Sequence, residues 1–277
     1  MKKAAIFILL STALVTACGK SGSSMEGHSS HNETAGVAHD HHTYAEKEGE
    51  IEAKFTLSSE NPRPNQDTTL TIQIQDKNGK PIEKFDTVHE KQLHLIVVSK
   101  DLSFFNHIHP EYKGNGQFTI TTTFPTAGEF KAIADFTPTG MGTMNKSHWF
   151  TVQGNATASK AIDPDETFTK VVDGKEVTLT FDQLTANKEL NMNFNIKDAQ
   201  TKQDVTDLQP FLGAVGHVVI LSQDAENYLH VHPIDEKAKG PDAKFMTTFP
   251  HSGVYKIWGQ FQQNGKVFTV PFVVKVR

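Results

Sequence analysis

The chain has 277 residues, a net charge of -5, two tryptophans, 19 phenylalanines and a single cysteine. That mildly acidic balance excludes a nucleic-acid binder, which needs a basic footprint, and one cysteine excludes a disulfide framework. The aromatic and aliphatic content is enough for globular cores, and the length suits two domains of ordinary size.

The N-terminus opens with "MKK" and an apolar run from Ala4 to Val15. Twelve residues are too few to span a bilayer but are right for the h-region of a secretory signal. The run ends in "VTAC", which resembles a bacterial lipobox. On that resemblance residues 1–17 are a lipoprotein signal peptide, and Cys18 is the lipidated first residue of the mature chain. The expected location is the extracytoplasmic cell envelope, with the membrane reached through the anchor on Cys18. Any metal chemistry then falls to histidine, methionine and carboxylate.

Residues 18–50 are small and polar, with no periodicity and five histidines: His28, His31, His39, His41 and His42. Such a composition cannot bury enough surface to offset its ordering entropy, so a disordered tether is predicted. Its "HDHH" cluster is a candidate flexible metal-binding tract.

From residue 51 the pattern has a period of two. "TLTIQIQD" places Leu70, Ile72 and Ile74 on one face, and "EVTLTFD" and "LNMNFNI" repeat the device with Val177, Leu179 and Phe181 and with Leu190, Met192, Phe194 and Ile196. Alternation of this kind marks half-buried strands. Turn signals punctuate it at "DKNGKP", "KGNG", "TAG", "HSG" and "QNGK". The fold class expected is all-β: two tandem immunoglobulin-like, Greek-key β-sandwich domains at 51–153 and 166–277, joined by a linker at 154–165.

The two domains are copies. "LHLIVVSKDLSFFNHIHP" (93–110) aligns with "GHVVILSQDAENYLHVHP" (216–233), pairing His94 with His217, Ser99 with Ser222, Asp101 with Asp224, His107 with His230 and His109 with His232. The match continues as "FPTAGEFKAIADF" against "FPHSGVYKIWGQF" (249–261), after a two-residue insertion. Internal similarity over this length is a duplication.

Residues i and i+2 of an extended segment project to one side. His107 and His109 therefore converge, as do His230 and His232, and the following proline favours extended backbone at the second histidine. A hairpin would bring His94 or His217 alongside. Three neutral imidazoles suffice to hold Zn(II) or Cu(II), so each copy is a candidate metal site, with binding expected to weaken as pH falls through about 6.5. Asp101 and Asp224 are read as turn residues. The first copy adds Met141, Met144 and His148 in "GMGTMNKSH", thioethers being soft ligands suited to Cu(I); His89 and His251 are further single candidates. No Gly-x-Ser-x-Gly, His-Glu-x-x-His or phosphate loop occurs, so an enzyme is not expected.

"NPRPNQDTTLTIQIQDKNGKPIEKFDTVH" followed by "FPTAGEFKAIADF" resembles the YtkA-like domains of bacterial extracytoplasmic proteins, and the "LHVHP" block is similar to secreted bacterial proteins associated with copper or other heavy metals. The resemblance implies immunoglobulin-like sandwiches and an extracytoplasmic place. The second copy departs from the family's methionine-rich pattern. Together these readings point to a lipid-anchored carrier or buffer of copper or zinc, with its protein partner unknown. The alternative is a non-catalytic interaction module that binds no metal.

Overall fold

The computed structural model describes residues 50–155, 158–229 and 231–277, with backbone only at His232. The signal peptide, Cys18 and the tether histidines, like His230, lie outside the described residues. All regular structure described is β.

The first sandwich runs through β1 (Ile51–Leu57), β2 (Thr68–Asp76), β3 (Leu93–Ser99), β4 (Phe105–Ile108), β5 (Glu111–Gly114), β6 (Gln117–Thr122), β7 (Gly128–Phe136) and β8 (Met144–Val152). One sheet has the order β1-β2-β6-β5 and the other β4-β3-β7-β8, all neighbours antiparallel. The chain changes sheet after β2, β4 and β6, a Greek-key path of the immunoglobulin kind.

The second sandwich follows with β9 (Thr169–Val172), β10 (Lys175–Phe181), β11 (Glu189–Asp198), β12 (His217–Ser222), β13 (Tyr228–Leu229), β14 (His232–Pro233), β15 (Asp242–Thr248), β16 (Gly253–Gln263) and β17 (Lys266–Val276). Its sheets are β14-β15-β11-β10-β9 and β13-β12-β16-β17. The order reproduces that of the first copy, with β9 as an added edge strand.

Each sandwich buries its own apolar cluster, with Phe118, Phe124 and Phe130 at the centre of one and Phe194, Phe245 and Phe261 at the centre of the other. A third cluster belongs to both. Ile96 and Val98 of β3 and Ile133 of β7 meet Val219 and Leu221 of β12 and Trp258 of β16. Strand β3 is consequently buried along its whole length: Leu93, Leu95 and Val97 face their own core, and Ile96 and Val98 face the other sandwich. The two β3/β7-type sheets thus pack face to face within one compact unit.

The interface makes the same contact twice. Lys131 Nζ donates to the carbonyl of Ala225 at 2.7 Å, and its repeat counterpart Lys256 Nζ donates to the carbonyl of Leu102 at 2.7 Å. Leu102 and Ala225 are themselves counterparts, both with left-handed backbone (φ 53° and 58°). Reciprocal contacts between equivalent residues are the signature of a two-fold arrangement, here between two copies in one chain.

Candidate metal centre

Strand parity decides which histidines meet. His94 alternates with Leu95 and shares the interface-facing side with Ile96 and Val98. In the β3–β4 hairpin His107 stands opposite Ile96, so the next same-face positions outward are His94 and His109. One ligand atom from each of His94, His107 and His109 lies within 4.8 Å of the others. Their ring centroids are 5.3, 5.0 and 4.9 Å apart.

The second sandwich closes the other side. His217 begins β12 with the parity of Val219 and Leu221, and its ring centroid is 5.9 Å from those of both His94 and His107. Gly216, just before it, packs against β16 of the same sandwich, where a Cβ would sit 2.5 Å from the Phe261 ring. His89 stands 4.7 Å from His217, on a tight hairpin turn in which both His89 and Glu90 are left-handed (φ 48° and 65°) and Val88 bridges Lys91. A cavity of about 20 Å³, roughly one water-sized sphere, is lined by His89, His94, His107, Asp135, His217 and Tyr228 among others.

Hydrogen bonds to their outer nitrogens orient the rings. His94 Nε2 lies 3.0 Å from the carbonyl of Val88, which can only accept, so Nε2 carries the hydrogen and Nδ1 the lone pair. Gln260 donates its Nε2 to Thr269 Oγ1 and presents Oε1 to His107 Nδ1 at 2.7 Å. With the amide in that orientation His107 Nδ1 carries the hydrogen. His107 Nε2 lies 3.1 Å from His94 Nδ1. His109 Nε2 is buried with no hydrogen-bond partner among the described residues.

The buried imidazoles disfavour protonation. Burial first, then the neighbouring imidazoles, pushes His107, His109 and His217 down to about 3 from their usual range, and Gln260 and the Leu212 carbonyl only partly offset it for His107 and His217. Their spacing fits a shared cation. Two nitrogens each about 2.0–2.1 Å from one ion lie about 2.9 Å apart at a right angle and about 3.3 Å apart at the tetrahedral angle. The observed 3.1 Å falls between. Tyr228, whose hydroxyl donates to Asp135 Oδ2 at 2.7 Å, places a buried carboxylate beside the cavity, opposite His94 in the β3–β7 register.

The other candidates are elsewhere. Met144 is buried in the first core and Met141 packs against it. His148 stacks on Phe55 at 5.8 Å, and none of the three lines the cavity. His251 is exposed; its carbonyl accepts the Tyr255 hydroxyl. His232 backbone pairs with Met246, and Val231 lines the cavity. Asp101 and Asp224 cap turns by accepting from Ser99 and Ser222. Gln260 and Asp135 were not singled out from sequence, although they occupy equivalent positions in the repeat and share the strand face of Trp258 and Ile133.

The family described as Domain of unknown function (DUF8832) matches residues 31–154 and 170–277. The chain belongs to that family. No curated protein matches it. Among solved structures it is similar to the Escherichia coli adhesin FdeC at 17% identity and a TM-score of 0.28, covering 81% of this chain and 64% of that one. It is also similar to the Yersinia pseudotuberculosis adhesin InvE (10%, TM-score 0.27, 81% and 60%). A two-domain fibronectin type III segment of chicken tenascin matches at 10% with a TM-score of 0.25, covering 81% of this chain and all of that one. The chain thus spans under two thirds of the two adhesin structures.

Proposed function

We propose that the protein is a lipid-anchored, extracytoplasmic metal-binding lipoprotein that carries or buffers copper or zinc and is not an enzyme. The observation that carries this reading is the convergence of His94, His107 and His109, with one ligand atom of each within 4.8 Å of the others and His94 Nδ1 and His107 Nε2 3.1 Å apart. His109 adds a third buried nitrogen. Metal-ligating histidines are oriented through their second nitrogen, as His94 and His107 are here. The three donors are neutral imidazoles, which suit Zn(II) and Cu(II). The "VTAC" motif and the resemblance to YtkA-like domains support the anchor at Cys18 and the place outside the cytoplasm.

The test separates the folded centre from the tether. In the full chain, His28, His31, His39, His41 and His42 are changed to Ser, and bound zinc and copper are measured after dialysis. One equivalent of metal is expected, and His94→Ala with His107→Ala should abolish it. Negligible metal in both proteins would leave the interaction module as the reading. A Cys18→Ser chain should leave the membrane fraction for the soluble one.

A further inference from the structure

We infer that the metal centre is a latch between the two sandwiches: one ion bound by His94, His107 and His109 takes His217 of the second sandwich as its fourth ligand, so that loading and interdomain packing are coupled. This rests on the metal-binding reading above and extends it to what the ion does.

Four observations carry it. The triad stands on the interface side of β3 and β4, with the parity of Ile96 and Val98, which pack on the second sandwich. The outer hydrogen-bond partner of His107 is Gln260, which belongs to β16 of the second sandwich. His217 lies 5.9 Å by ring centroid from both His94 and His107, just outside the 4.9–5.3 Å spacing of the triad, so that a small closure of the interface brings it to the ion. Its Nε2 faces the Leu212 carbonyl at 3.4 Å, which leaves Nδ1 with the lone pair. His94 and His217 are equivalent in the repeat, so the centre falls where the two-fold relation of the interface brings equivalent residues together. Parting the sandwiches removes His217 and frees His107 from Gln260. Whatever stabilises the ion therefore stabilises the closed pair, and by linkage the reverse holds by the same factor.

The experiment uses the full chain with the tether histidines changed to Ser and Zn(II) as the probe. Amide exchange is followed with and without Zn(II). Protection is expected on β3 and β4 and equally on β12 and β16 across the interface, and little on β9 and β10. Affinity is then measured by chelator competition in Lys256→Met, whose side chain touches Leu102 and no imidazole. A loss of about fivefold or more is expected, the lower range of coupling between linked sites, and His217→Ala should lose more. Zn(II) bound with protection confined to β3 and β4, and unchanged affinity in a folded Lys256→Met, would overturn the latch and leave the metal site standing. No Zn(II) bound at all would overturn both. The exchange measurement requires no substitution, so it decides even if Lys256→Met does not fold.

Discussion

At the scale of single residues, the centre depends on groups that never touch the ion. Gln260 is the outer hydrogen-bond partner of His107, and loss of such a partner costs about 10–100-fold in metal affinity. Gln260→Ala is expected to weaken Zn(II) within that range, whereas Gln260→Glu keeps an acceptor on Nδ1–H and should bind no weaker than the parent; chelator competition on both checks the pair. Burial also moves the acid limit. Histidine pattern alone suggests release near 6.5, but His107, His109 and His217 are held at about 3. In the unfolded chain they titrate near 6.5, so between about 6.5 and 3 the unfolded state binds more protons and stability rises with pH. The metal-free chain should therefore lose stability as pH falls through that window. The folded centre should still retain Zn(II) in dialysis at about pH 5, where exposed histidines release it. Release already complete at about pH 6 would count against buried ligands.

At the scale of elements, the duplicated Ser-x-Asp segment is a turn whose carboxylate does the capping. Asp101 accepts from Ser99 Oγ, from Ser103 N–H and Oγ, and through its other oxygen from the Lys160 N–H of the linker. Burial alone pushes Asp101 up, but these bonds outweigh it and hold the carboxyl well below the usual range. A depressed carboxylate contributes stability that is present above about pH 4 and lost as pH falls further. Asp101→Ala should cost about 1.5–3 kcal/mol, the net worth of hydrogen bonds to a charge, and loosen the linker. Chemical denaturation with proteolysis in the 158–165 segment checks both. The turn role was legible because Asp and Ser recur together in both copies; the reach to Lys160 was not, since it joins residues far apart in sequence. Strand β3 shows the same limit. "LHLIVVS" has no polar–apolar alternation because both of its faces are buried, and a sequence pattern does not reveal that the second face is covered by the other copy. The first-copy triad followed from period two and one hairpin. That His217 stands beside it depended on how the copies dock.

At the scale of the whole molecule, the duplication has become an interface. Lysines that would be solvated on a free sandwich are drawn into it: Lys131 is 3% exposed, pairs with Glu226 at 3.0 Å and lies over the Trp149 ring at 5.2 Å. Such a charge is tolerated only when its donors are satisfied, and they are satisfied across the interface. Trp258 anchors the same surface, 3% exposed and stacked on Phe105 of the first sandwich at 4.6 Å. A shared apolar cluster with reciprocal hydrogen bonds couples the stability of each sandwich to that of the other. The intact chain should therefore melt in one calorimetric transition, although each half has a core of its own. Trp258→Ala removes the stacking partner of Phe105 and leaves a cavity, at a cost of about 3–5 kcal/mol for a buried tryptophan. Because that loss falls on the contact between sandwiches and spares both cores, it should split the melt into two transitions. A single transition merely shifted to lower temperature would mean that the two cores are coupled through something other than this face.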